Sequence, residues 1–306
     1  MKNADTAMYR AKQMGGNAYQ FYRTDMNELA LQRLEKETAL RRALERQEFI
    51  LHYQPQFDLS SGTVVGFEGL IRWQRPDIGL VLPLEFIPLL EETGVILPVS
   101  EWVLHTACVQ HQAWCRAMPM SLRIAVNISG RHFDAEFVEM VKRVYQASCM
   151  DPLALELEIT ESVLMKDTQQ VIEVLNQMDA VGVRFAVDNF GTGYSSLSYL
   201  KRFPIDVLKI DPSFIQDVTH NEDDAAIVCA IITMARSLGI KSLADGVETR
   251  EQLEFLQAQG CDLAQGNFFS IPLPAEEVTA LLQSKHVFYD PQVVPLGKAK
   301  TLKRGP

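Results

Sequence analysis

The 306-residue chain is 47% hydrophobic and 22% charged, an ordinary globular composition that allows one large domain or two small ones. Its formal net charge of −10 argues against general nucleic-acid binding, so an anionic ligand would need a local device such as a metal ion or a glycine loop. Five cysteines without CxxC spacing read as buried thiols of a reducing compartment, and no apolar run reaches the roughly 18 residues of a membrane span. The start, "MKNADTAMYR", lacks the apolar core of a signal peptide, so a cytoplasmic chain is expected. An anchor elsewhere in a longer parent protein is left open.

In chain order, residues 1–24 read as one helix ("ADTAMYRAKQM") stopped by Gly15–Gly16, followed by a short apolar strand, "AYQFY". That is too little to bury a core, which suggests the tail of a missing domain. Residues 25–47 carry Leu29, Leu34, Leu40 and Leu44 among charges at helical spacing, a connecting helix or a dimerising coil. Residues 48–285 alternate short β-rich runs with helical stretches: "FILHYQPQF", "TVVGFEGLIRW", "LRIAVNIS", "LALELEIT", "VRFAVDN", "DVLKID", "IKSLADGV" and "DLAQGNFFS". The five residues "DLSSG" between the first two predict a hairpin, making the first strand antiparallel. Helix-length segments such as "TQQVIEVLNQMDAVG" separate the later runs and predict a parallel sheet. Eight strands in this length fit a (β/α)8 barrel of the TIM type better than an open doubly wound sheet, whose GxGxxG is missing. Residues 286–306 are basic, bounded by Pro and Gly, and expected to be disordered.

Several runs carry cation-binding groups near their C-terminal ends: Glu68, Asn127, Glu158 with Glu161, Asp188 with Asn189, Lys209 with Asp211, Asp245 with Glu248, and Gln265. A lone acid at a strand end is most often a helix N-cap. In a barrel, however, all these ends open on one face, and gathered carboxylates repel unless cations hold them. Oxygen ligands without a His or Cys cluster point to Mg²⁺ or Mn²⁺, with Ca²⁺ less favoured. Carboxylates able to hold two metals about 4 Å apart suit phosphodiester hydrolysis. A lysine among them suits contact with a phosphate or an attacking water. A serine nucleophile is disfavoured, because "GTGYS", leading to Ser195 and Ser196, is not G-x-S-x-G; nor is it a Walker A loop. A glycosidase carboxylate pair would leave the amide and the lysine unexplained. The six histidines show no metal spacing and read as core or surface residues.

These residues resemble the EAL domain, a bacterial phosphodiesterase family specific for cyclic di-GMP. "FEGLIRW" is similar to its Glu-Ala-Leu signature, and "YQPQ", "FIPLLEETGVI", "VNIS", "LELEITES", "DNFGTGYSSLSYLKRFPIDVLKID", "ADGVET" and "AQGNFFSIPLP" follow in order over about residues 48–285. "NADTAMYRAKQMGGNAYQFY" resembles the end of a GGDEF domain, implying a chain cut from a longer GGDEF–EAL regulator whose GGDEF active site it lacks. The resemblance implies that Glu68, Asn127, Glu158 and Asp188 hold a first metal and that Asp188 bridges to a second. Asn189 and Asp245 complete the second site. Lys209 would contact the catalytic water, and Glu161 would hold the glycine loop Gly191–Ser196. Gln54, Leu70, Arg72, Glu248 and Gln265 would line the dinucleotide site. The implied reaction is metal-dependent hydrolysis of cyclic di-GMP to linear pGpG with Mg²⁺ or Mn²⁺, and a homodimer is the implied assembly. Three positions depart from the family pattern: Gly69 replaces the signature Ala, Asn189 replaces a second Asp, and Asp245 replaces a Glu. The last two fall on the second metal. They keep open an alternative, a degenerate EAL domain that binds cyclic di-GMP as a receptor with little or no hydrolysis.

Overall fold

The computed structural model describes residues 25–117, 121–130, 133–164, 168–193 and 200–283. The expectations for residues 1–24, for the tail from 286 onward, and for Ser195 and Ser196 fall outside these residues. The described chain forms two compact units, residues 25–50 with 72–96, and residues 51–71 with 97–283. No helix among the described residues is long and apolar enough to cross a membrane.

The smaller unit contains α1 (Asp25–Ala43), the first residues of β1 (Phe49–Asp58), the last residues of β2 (Val64–Arg75), β3 (Gly79–Val81) and α2 (Ile87–Thr93). β3 pairs antiparallel with the end of β2, Trp73 opposite Val81. A three-ring cluster forms its core. Phe49 and Phe86 have centroids 5.9 Å apart, and Trp73 lies 5.9 Å from Phe86 and 6.3 Å from Phe49. Such spacing adds to the area the rings bury. Trp73 donates its indole N–H to Glu48 Oε2 at 3.0 Å, satisfying the one polar atom of a fully buried side chain.

The larger unit is a closed eight-stranded barrel with the sheet order β1-β9-β8-β7-β6-β5-β4-β2, closed by β1 pairing with β2. Its further strands are β4 (Arg123–Asn127), β5 (Leu155–Thr160), β6 (Arg184–Phe190), β7 (Val207–Ile210), β8 (Lys241–Ala244) and β9 (Leu263–Ala264). β2, β4, β5, β6, β7, β8 and β9 run parallel, and β1 is antiparallel to β9. The expected barrel with an inverted first strand is therefore the observed one. Two short strands had no signal in the sequence. These are β3 and β10 (Leu273–Pro274), which pairs with β1 outside the barrel. The run "DLAQGNFFS" keeps only Leu263–Ala264 as strand before turning at Gly266.

The crossover helices are α3 (Ile96–Ala117), α4 (Ala135–Ser148), α5 (Glu161–Leu164), α6 (Thr168–Asp179), α7 (Pro212–Gln216), α8 (Glu222–Leu238), α9 (Arg250–Gln259) and α10 (Ala275–Gln283). Local chemistry sets their ends. Asp134 caps α4, Asn221 caps α8, and Thr249 with Gln252 forms a capping box on α9. Gly239 and Gly260 end α8 and α9 in the left-handed conformation. Asp211, paired with Lys209 in the sequence reading, is such a cap: its carboxylate accepts from Ser213 N at 2.8 Å and starts α7.

Strand register decides what faces the barrel axis. Laterally paired residues point to the same side of a sheet, and the side alternates along each strand. The pairs Glu68–Ala125, Asn127–Glu158, Glu158–Ala186, Thr160–Asp188 and Ala186–Val207 put Glu68, Asn127, Glu158, Asp188 and Lys209 on one side. Beneath them Ala186, Val207, Leu243 and Leu263 form a buried apolar layer. Farther toward the strand starts, Arg123 pairs with buried Glu156 at 3.1 Å. Burial pushes the Glu156 carboxyl up, and Arg123 opposes that. A polar layer at one end, sealed by an apolar one, is the usual filling of such a barrel.

Gly69 lies on β2 beside Glu68. A methyl group added there would meet Val126 Cγ1 at 3.4 Å and Ala125 O at 3.6 Å, both ordinary contacts. Gly69→Ala, which recreates the family signature, is therefore expected to stabilise the protein by up to about 1 kcal/mol through reduced freedom of the unfolded chain. Urea unfolding checks this, and a loss of stability would mean that the strands cannot accept the contact.

Candidate active site

Lys209 is the hub of the inner-face cluster. Its side chain is 1% exposed. Its Nζ lies 2.5 Å from Glu158 Oε2, 3.2 Å from Glu68 Oε2 and 3.2 Å from Asp188 Oδ1. Glu68, 3% exposed, also accepts from Asn127 Nδ2 at 2.6 Å and from Gln265 Nε2 at 2.5 Å. Gln265 Nε2 lies 3.2 Å from Gln54 Oε1, and Gln54 Nε2 donates to Ser270 O at 3.0 Å. Six strands and the turn after β9 thus meet at one point. Glu68 sits mid-strand rather than at a strand end, because β2 runs on into the smaller unit.

Charge and burial pull against each other here. Burial raises the Glu68 carboxyl, but the Lys209 ammonium and the bonds from Gln265, Lys209 and Asn127 outweigh it and hold it below the usual range. Glu158 goes the other way: burial, then repulsion from Glu68, push its carboxyl well above the usual range despite Lys209. Asp245 is pushed up to about 6 by burial, with Glu68 and Asp188 adding to the shift. Burial would lower Lys209, but Glu158, Glu68, Asp188 and Asp245 raise it well above an ordinary lysine. One ammonium does not compensate four neighbouring carboxyls.

The donor set fits a hard divalent cation. Glu68, Asn127, Glu158 and Asp188 offer only oxygens as ligands, and buried Glu158 Oε1 has no hydrogen-bond partner. An orphaned buried carboxylate oxygen is costly unless a cation meets it. Among the described residues no group of three or more His, Cys, Asp or Glu side chains is arranged as a ready-made metal cage. Lys209 Nζ stands where three of the carboxylates converge.

Asn189 and Asp245, the two departures from the expected pattern, each make a local hydrogen bond. Asn189 has φ +55° where the β6–β7 register shifts between Val187 and Phe190. Asparagine tolerates this left-handed backbone better than most residues. Its Nδ2 donates to Asp188 Oδ2 at 3.0 Å, so the amide steadies the neighbouring acid. Asp245 turns back on its own backbone, accepting from Gly246 N at 2.7 Å. Glu161 opens α5 and is buried, and its Oε2 accepts from Gly191 N and Gly193 N, both at 3.2 Å. These two bonds reach the glycine loop as far as Gly193.

The remaining candidates are more peripheral. Leu70 follows Glu68 on the same side of β2 and is half-buried. Arg72 is buried and belongs to the smaller unit. Glu248 is exposed; its Oε1 accepts from Asn267 Nδ2 at 3.4 Å. His111 is a core residue, its Nε2 2.8 Å from Leu122 O. Sequence reasoning missed the Ser270 carbonyl that anchors Gln54 and the need for Gly266 behind Gln265. The only signal for Gly266 was the "QGN" inside the last strand run, and Ser270 had none.

The sequence model of the EAL domain matches residues 37–272. Over 281 residues, 92% of the chain, the protein is 45% identical to the bifunctional diguanylate cyclase/cyclic di-GMP phosphodiesterase MucR of Pseudomonas aeruginosa, covering 41% of that protein. Over 300 residues, 98% of the chain, it is 39% identical to the cyclic di-GMP phosphodiesterase NbdA of the same organism, covering 38% of it. The chain thus spans about two fifths of these relatives' length. Among solved structures, the MucR phosphodiesterase in complex with cyclic di-GMP superposes with a TM-score of 0.78 at 44% identity, covering 80% of this chain and 99% of that one.

Proposed function

We propose that this chain, which belongs to the EAL domain family, hydrolyses cyclic di-GMP at the cluster centred on Lys209. The observation that carries the reading is the convergence of Glu68, Asn127, Glu158 and Asp188 around that lysine. The similarity to phosphodiesterases, one solved with cyclic di-GMP, supports it.

In this reading Glu68, Asn127, Glu158 and Asp188 hold a first Mg²⁺ or Mn²⁺, and Asp188, Asn189 and Asp245 a second. When bound, the ions would activate a water and neutralise phosphate charge. Lys209 keeps its proton and can donate it in a hydrogen bond to the attacking water. Gln265, itself bonded to Gln54, braces the same Glu68 oxygen that Lys209 reaches. Arg72 would meet a phosphate, Leu70 and Glu248 would line the dinucleotide site, and the product would be linear pGpG. Glu161 fixes the glycine loop through two backbone N–H groups. The same proposal takes residues 1–24 as the end of a GGDEF domain, residues 25–47 as a connecting helix and residues 48–285 as the phosphodiesterase domain. It takes the working assembly as a homodimer.

The direct test incubates the purified chain with cyclic di-GMP and Mg²⁺ or Mn²⁺ and follows pGpG by chromatography. Tight binding without pGpG under either metal would sink the enzyme and leave a cyclic di-GMP receptor, the reading that Asn189 and Asp245 favour. Asn189→Asp is expected to raise the rate about three- to tenfold at limiting Mg²⁺, because affinity for a hard cation rises with the charge of its ligands. Aspartate also tolerates the left-handed backbone at this position. An unchanged rate would show that the amide already serves.

A further inference from the structure

The Lys209 ammonium and a divalent cation would draw on the same oxygens. Nζ engages Glu158 Oε2, Glu68 Oε2 and Asp188 Oδ1. What these acids have left is Glu158 Oε1 without a partner, Glu68 Oε1 bonded to Asn127, and Asp188 Oδ2 bonded to Asn189. With Asp245 close enough to act on the lysine, the cluster counts four acids against one ammonium, a formal charge of −3. A buried group of acids like this repels itself unless a cation stands inside it.

We infer that Lys209 is the internal counter-ion of this cluster and competes with the divalent ion for its carboxylates, so that the lysine sets how tightly the chain takes up metal. The inference rests on the reading that Glu68, Asn127, Glu158 and Asp188 hold such an ion. Lysine suits this role because its charge is compact and sits on a flexible four-carbon stem, so it can yield oxygens without moving backbone. Glu158 Oε1 is the landing point the lysine does not occupy. Asn189 sharpens the competition, because an amide in place of a second acid leaves fewer charges for two cations to share.

The test reads Mn²⁺ binding by calorimetry with no nucleotide present. Lys209→Met keeps the apolar stem and removes the charge. It is expected to tighten the Kd for Mn²⁺ at least about tenfold, since a like charge a few ångströms away is lost. It is also expected to enlarge the Mn²⁺-induced rise in Tm. Unchanged or weaker Mn²⁺ affinity in the folded variant overturns the inference, as does no Mn²⁺ binding by any form. Lys209→Met leaves the acids unopposed and could fail to fold. A second comparison therefore sets Glu158→Gln against Glu158→Gln/Lys209→Met, the double variant restoring the formal charge of −3. The double variant should bind Mn²⁺ more tightly than the single; equal or weaker binding overturns the inference. Neither readout uses hydrolysis. A chain that follows this pattern but leaves cyclic di-GMP uncut refutes the phosphodiesterase reading alone.

Discussion

Glu68→Gln is expected to lower turnover of cyclic di-GMP by roughly a thousandfold, the scale of losing one preorganised electrostatic group in a water-excluded site. The carboxylate accepts from Asn127, Lys209 and Gln265 at 2.6, 3.2 and 2.5 Å. Glutamine has the same shape but offers one acceptor and one donating amide. At least one of the three donors then faces another donor and loses its partner inside the barrel. The substitution also removes a charge from the ligand set proposed for the first metal. Asn127 and Gln265 lose their common anchor together, so the loss should fall mainly on kcat. Initial rates at saturating Mn²⁺ check this, with circular dichroism showing that the fold survives. Residual activity within tenfold of the parent would remove Glu68 from the catalytic centre.

Gly266→Ala is expected to be the most damaging single methyl group in the barrel. Gly266 has φ +152°, and an added Cβ would lie 2.2 Å from Val247 O and 2.3 Å from Val247 N. These are backbone atoms and cannot rotate away. They also sit inside a hydrogen-bonded crossing: Val247 N donates to Gln265 O at 3.0 Å and Phe268 N donates to Val247 O at 2.9 Å. Relieving the clash must break that crossing, which puts the cost at about 4 kcal/mol or more. In a unit this large that corresponds to a Tm lower by roughly 10 °C. Gln265 is the adjacent residue, so the fraction that still folds should also lose its brace on Glu68. Gly94→Ala is the control: its φ is +74° but nothing lies within 4 Å of the added carbon. It should cost only about 1 kcal/mol. Equal Tm losses for the two variants would show that the crossing yields.

Much of the barrel was legible because its signals are local. The alternation of β-rich runs with helix-length segments and the five-residue hairpin link each depend on a few neighbouring residues. β3 and β10 were not legible, because pairs of two or three residues carry no periodicity. The acids were legible as residue types, and their roles only in part. Asp211 proved to be a cap, while Asp188, at a similar strand end, joined the cluster. In sequence the two look alike. Where each strand stops separates them: Asp188 lies inside β6, paired with Thr160, whereas β7 ends at Ile210 and Asp211 already caps α7.

By itself the sequence determined the strand–helix order, the inverted first strand, the oxygen-rich character of the candidate ligands and the two unusual residues, Asn189 and Asp245. These follow from residue identity and short-range spacing. Only the tertiary structure decided that the Lys209 ammonium reaches Glu158, Glu68 and Asp188 together. It also showed that Gln265, 197 residues from Glu68, is 2.5 Å from its carboxylate, and that Gly266 admits no side chain. The physical reason is barrel closure. Residues far apart in the chain meet only when every ladder takes its register, and burial then turns a loose set of acids into a cluster that needs a cation.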